Sequence, residues 1–160
     1  MRKKLKFHEL GIIIRGVPVV NIMITDYNGR ETNLVVKTAL LSGLLRFAEA
    51  TMAAVEYLEC NNYHIIFHQG FILSEFSIEE PIITYGVIDK IKRKEEKKVE
   101  KTIRKQVKPI LKRISDLFRN RFNGKNLSEV SQFREFSKEI EEQIQNGPNL
   151  SEQMFKSVFI

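Results

Sequence analysis

The sequence predicts an α/β chain of the α+β kind, a mostly antiparallel sheet with a helix on each face. Three observations carry this. Ile- and Val-rich runs open the chain and recur between 55 and 89, a stretch of helical periodicity at 32–54 separates the two groups, and helical periodicity alone follows after 90. At 160 residues, with 42% apolar content and 11 Phe, one domain spanning 1–160 can fill a core without staples. Its parts are 7–89 (hairpin, first helix and remaining strands), 90–145 (two C-terminal helices) and 146–160 (an apolar tail).

From 7 to 24 the chain is apolar and interrupted by Arg15-Gly16-Val17-Pro18, in which glycine permits a positive φ and proline presets a turn, so this segment predicts a hairpin. Its apolar runs alternate too little for half-exposed strands and imply cover on both faces. Asp26-Tyr27-Asn28-Gly29 closes the unit. Thr32 or Asn33 can cap a helix running to about Ala54, with Leu34, Leu41, Leu45, Ala48 and Met52 on one face. A second apolar face gathers Val36, Ala39, Leu40, Gly43, Phe47, Ala50 and Ala54. A helix apolar on two sides needs covering on two sides, and the cover is either a partner or the tail folded back.

Segments 55–60, 63–68, 71–78 and 82–89 read as three or four short strands, punctuated by Asn61-Asn62, Gly70 and Pro81. Beyond Lys90 a long amphipathic helix carries Val99, Ile103, Val107, Ile110, Ile114, Leu117 and Phe118, with Pro109 expected to kink or break it and Asn123-Gly124 to end it. A last helix begins near Ser128, turns Val130, Phe133, Phe136, Ile140 and Ile144 inward, and stops at Asn146-Gly147-Pro148. The tail that follows, with Met154, Phe155, Val158, Phe159 and Ile160, is apolar and needs somewhere to dock.

One cysteine, Cys60, excludes an internal disulfide and a multi-thiolate zinc site, and it fits a reducing compartment. His8, Glu9 and Arg15 interrupt the apolar run a signal peptide would need, and no stretch is long enough to span a bilayer, so a cytoplasmic chain is expected, if anything peripheral to a membrane. Net charge is +6 but uneven: 90–125 holds 15 Lys or Arg against four acids, a local +11. Within it Lys92, Arg93, Lys94, Lys97, Lys98, Lys101, Arg104 and Lys105 form a candidate contact for an anionic surface. Interleaved Glu95, Glu96 and Glu100 equally suit a solvated face, and missing aromatic residues disfavour nucleic acid.

No catalytic constellation is readable. Cys60, His64 and His68 have ligand spacing for a helix, but Tyr63, Ile65, Ile66 and Phe67 favour a strand, on which residues four apart lie about 13 Å from one another. Phosphate-cradling glycine motifs and a nucleophile elbow are absent, and Glu79-Glu80 and Glu141-Glu142 diverge instead of flanking a substrate. The expectation is a non-enzyme with no cofactor and no metal, acting by contact.

Certain residues carry a resemblance. LGIIIRGVPVV at 10–20, LLSGLLRFAE at 40–49, YHIIF at 63–67 and ITYGVID at 83–89 leading into a charged helix resemble stand-alone members of the longin family and its roadblock-related cousins, modules that bind or regulate GTPases in membrane trafficking. The resemblance covers about 10–145. It implies a five-stranded antiparallel sheet with one helix on one face and two on the other. It also implies pairing through the second strand and first helix, which places a partner interface on Val20, Ile22, Ile24, Val36, Ala39, Leu40, Gly43 and Phe47. The implied partners are a small GTPase, another longin- or roadblock-like subunit, or a second copy; the alternative, which comes from the charge and not from the resemblance, is a peripheral binder of an anionic membrane or nucleic acid acting through the basic helix 90–125. The long basic helix, Pro109 within it and the apolar tail depart from the minimal module.

Overall fold

The computed structural model describes residues 6–24, 43, 56–59, 63–92 and 96–145. The expected hairpin is formed by β1 (Phe7–Ile14) and β2 (Val17–Met23). Arg15 and Gly16 both take positive φ, 53° and 75°, the two-residue turn whose twist matches that of the strands it joins. The turn is shorter than the sequence suggested. Val17 and Pro18 belong to β2, which lies at the sheet edge, where a missing N–H is tolerated, and the register slips there by a bulge opposite Ile12 and Ile13.

Three further strands complete one antiparallel sheet: β3 (Tyr57–Glu59), β4 (Tyr63–Leu73) and β5 (Glu79–Asp89), in the order β2-β1-β5-β4-β3. Segment 71–78 is not a strand of its own. β4 runs unbroken through Gly70, which pairs with Ile82, and 74–78 makes the turn into β5. The glycine marks a close approach: a Cβ there would stand 3.1 Å from the Ser115 hydroxyl oxygen on the helix above. Pro81 likewise sits inside β5, one residue beyond the last pairing with β1, where β5 has a neighbour on one side only.

On one face, Leu10, Ile12, Ile66, Ile72, Ile82 and Ile88 pack beneath the C-terminal helices. The long helix is continuous but not uniform. α1 (Glu96–Thr102) passes into a π-helical segment (Ile103–Val107) and then into α2 (Lys108–Phe122). Pro109 has no N–H to return to the preceding turn, and the ladder widens just before it, the Lys108 N–H reaching back to Ile103. That widening also serves the core. Val99, Ile103, Val107 and Leu111 are buried at steps of four, which drift by roughly 40° each in an α-helix of 3.6 residues per turn. A π turn holds more residues and cancels the drift.

Phe118, Phe122, Phe133 and Phe136 form an aromatic cluster, with ring centroids 4.8 Å apart for Phe118 and Phe122 and 5.2 Å for Phe118 and Phe133. The last helix begins later than expected. A 3-10 turn (Val130–Phe133) precedes α3 (Arg134–Gln145), whose Phe136 and Ile140 point inward as read. Val130 does not. It lies out by the edge strand β2, where the sheet ends, and is 48% exposed. Leu117 too is only partly buried at the margin of the core.

The opposite face buries Ile13, Phe67, Tyr85 and Val87, and the described helices all lie on the other side. The expected helix over 32–54 falls outside the described residues except for Gly43, which is helical and exposed, and so do Cys60 and the tail. Across this face Asn21, Gly11 and Tyr85 stand in one row on β2, β1 and β5. A Cβ on Gly11 would fall 2.6 Å from the Tyr85 hydroxyl oxygen, so only glycine lets that ring lie across the strand. Tyr85 thereby donates to the Glu9 carboxyl at 2.5 Å, and Asn21 donates to Glu9 at 2.9 Å and to the Tyr85 oxygen at 2.8 Å. Glu9 is fully buried, so each lost donor counts. Tyr85→Phe is expected to destabilise the chain by about 1–3 kcal/mol, and Gly11→Ala by about 1–3 kcal/mol through overpacking. Urea unfolding measures both; because the two share one ring, the double variant should lose less than their sum.

Candidate functional site

β2 is an edge strand, and its outer side is where a further strand could add. The side chains of Val20 and Ile22, expected at a partner interface, are core residues buried on the helix-covered face. Strand alternation explains the correction. What β2 presents outward is its backbone edge, with Val17 and the 49%-exposed Met23 at its ends and Asn21 engaged in the Glu9 network. Ile24 is half-buried, its N–H donating to the His8 carbonyl at 2.9 Å. Gly43 is exposed, and among the described residues a Cβ there meets no heavy atom within 4 Å. Val36, Ala39, Leu40 and Phe47 lie outside the described residues.

The basic surface is exposed throughout its described part, at Lys92, Lys97, Lys98, Lys101, Arg104 and Lys105, while Arg93 and Lys94 lie outside it. Among the described residues Lys97, Lys101, Arg104 and Lys105 make no ion pair, unlike Lys112, Arg119 and Arg121 further along, which pair with Asp116, Glu135 and Glu139. Lys101 follows Lys97 by four residues, and Arg104 and Lys105 follow Lys101 by three and four, which sets those free cations along one side of the helix. Lys108 has turned inward, donating to the Phe67 carbonyl at 2.8 Å, and burial holds its ammonium below the usual lysine range.

His64 and His68 both lie in β4, as the strand reading requires, and Cys60 lies outside the described residues. Among the described residues no three His, Cys, Asp or Glu side chains gather as a metal-ligand group. His64 is instead a core histidine whose Nδ1 accepts the Ile91 N–H at 3.1 Å. No described helix is long and apolar enough to cross a membrane. No protein-family model, curated protein or solved structure matches the chain.

Two further surfaces escaped the sequence reading. The end of the β4–β5 hairpin exposes Phe71 and Leu73 on β4 and Phe76 and Ile78 in the turn, with Phe76 75% exposed. A shallow cavity of about 380 Å³ opens between the β2 edge and the start of α3, lined by Val19, Val130, Ser131, Arg134, Ser137 and Lys138. The turn's apolar residues looked like one more strand of the sheet. Its acidic flanks, Glu75, Glu79 and Glu80, were the available sign that the segment faces water.

Burial lowers the His64 imidazole below its ordinary value of 6.5, with Glu59 opposing and Lys90 reinforcing the shift. Unfolded, the ring takes up a proton near 6.5, which the folded chain resists; His64's contribution is therefore complete above that pH and is lost as pH falls toward the lower, folded value. Thermal unfolding midpoints should drop between pH 7 and 5, and His64→Leu should flatten that slope, while an unchanged slope in the variant would show that His64 does not carry it.

Proposed function

We propose that this chain is a non-catalytic interaction module of longin type that serves as a scaffold or regulatory subunit for a small GTPase in a membrane-trafficking-like assembly. The observation that supports it most is the placement of the second strand. In the resembled family pairing runs through that strand and the first helix, and here β2 is the outer strand of a five-stranded antiparallel sheet, its outer edge paired with no strand among the described residues. Pro18 and the adjacent bulge blunt the start of that edge, leaving the stretch from Val19 onward to receive a partner strand. An exposed Gly43 with open space at its Cβ among the described residues suits close approach of a second backbone to the first helix.

The mechanism is differential contact. A partner of this kind shifts a GTPase between nucleotide states by binding one state more tightly than the other. Small GTPases prepared nucleotide-free, GDP-loaded and GTP-loaded are the test: state-dependent binding is expected, weakened about tenfold or more by Gly43→Phe in a protein of unchanged unfolding midpoint. Equal or absent binding in all three states overturns the reading.

The free cations of α1 and the π segment support a second reading, contact with an anionic membrane surface. That reading carries a different signature, because counterion screening weakens it steeply. Binding to vesicles containing phosphatidylserine should fall as salt rises and be lost in Lys97→Glu/Lys101→Glu; salt-insensitive binding excludes the basic face as its source.

A further inference from the structure

The β4–β5 turn is held as a rigid projection. Its Ser74 N–H donates to the Ile78 carbonyl at 2.9 Å, Ser77 N–H donates to the Ser74 carbonyl at 3.0 Å, and the Ser74 hydroxyl accepts the Phe76 and Ile78 N–H groups at 3.4 and 3.3 Å. Ser77 adopts a φ of 58° to close it. The projection is also tied to the end of α2, since Leu73 N–H donates to Asn123 Oδ1 at 3.0 Å and Gly124 N–H to the Leu73 carbonyl at 2.9 Å. Two large apolar side chains, Phe76 and the 58%-exposed Ile78, are thus presented to water by backbone that has little conformational freedom left to lose. Glu75 and Glu79 flank them, and neither makes an ion pair among the described residues.

The cavity beside β2 has the opposite character. Val19 and the exposed Val130 give it apolar walls, and Arg134 and Lys138, one helical turn apart on α3, give it a cationic rim. Neither cation has an ionic partner among the described residues. One chain therefore carries an apolar knob with acidic flanks and an apolar socket with basic flanks. Both are exposed in the same molecule, and no residue of the knob lines the cavity there, so within one chain the socket is not filled by the knob.

We propose that the β4–β5 turn of one copy docks in the Val19–Val130 socket of a second copy, Phe76 and Ile78 entering the cavity while Glu75 and Glu79 meet Arg134 and Lys138. The contact joins different patches on the two copies, so it is distinct from the β2-and-first-helix pairing described above. Apolar burial would supply the attraction, and the charges would select the orientation.

Sedimentation velocity over a concentration series, at low and at high salt, reads the association directly. The wild-type chain is expected to self-associate. Phe76→Ser, Glu75→Lys/Glu79→Lys and Arg134→Glu/Lys138→Glu should each weaken that association about tenfold or more, with unchanged unfolding midpoints because every altered side chain is exposed. The decisive arm is mixing. A Glu75→Lys/Glu79→Lys chain retains a wild-type socket and an Arg134→Glu/Lys138→Glu chain retains a wild-type knob, so each fails alone and an equimolar mixture should associate. Combining all four substitutions in one chain, which reverses both charge sets, should restore self-association. A wild-type chain that stays monomeric at every concentration overturns the proposal, as does a mixture that stays monomeric. Association abolished by Gly43→Phe and indifferent to the charge exchange belongs to the other pairing and overturns it equally. Phe76-dependent binding to phosphatidylcholine vesicles by a monomeric chain would assign the knob to a lipid surface instead.

Discussion

The hydrogen-bonded set of Glu9, Tyr85 and Asn21 spans the three strands on which the rest of the structure is assembled. β1 and β5 are the inner strands on that side of the sheet, and among the described residues β2 pairs with no strand but β1. A carboxyl group without solvent access is tolerated only where donors reach it, and here they come from both neighbouring strands. The set fixes register as well as supplying the buried carboxyl with donors. Slipping either strand by one residue would carry Asn21 or Tyr85 to the opposite face and strand Glu9 in an apolar layer. Gly11 is the silent member, contributing no atom to the network and yet giving the tyrosine ring its place.

Much of this was legible in the sequence for physical reasons that operate locally. Ile- and Val-rich runs around a glycine-containing turn specify a hairpin wherever they occur, and the helical stripe after 96 is periodic enough to be read directly. The β4–β5 pair was misread because Gly70 and Pro81 ordinarily punctuate strands. In this fold one is a point of contact with Ser115 and the other stands just past the end of β1, and both facts depend on neighbours far away in the chain. Val130 was misplaced for the same kind of reason, since its apolarity says nothing about where the sheet ends.

The candidate surfaces were legible to different degrees. Charge is visible in sequence, so the basic helix could be found, whereas which of its cations lack a counter-ion is a property of the packed molecule. Val20 and Ile22 show the converse. Their apolar character suited an interface and a core equally, and only the alternation of β2 relative to the helices assigns them to the core. A surface made of one hairpin turn, or of one strand edge beside one helix, has no sequence periodicity to betray it.

The five π-helical residues before Pro109 have a consequence for how the charged and buried sides of the long helix are related. Rewinding those same residues as ordinary α-helix, with none removed, would rotate everything upstream by about 100° about the axis, one residue's turn. Val99 would leave the core and the cations of α1 would swing with it. The insertion therefore acts as a phase setting: α2 is indexed to the sheet by its own buried residues, while the azimuth at which α1 displays its charge is chosen separately, by one residue of extra winding.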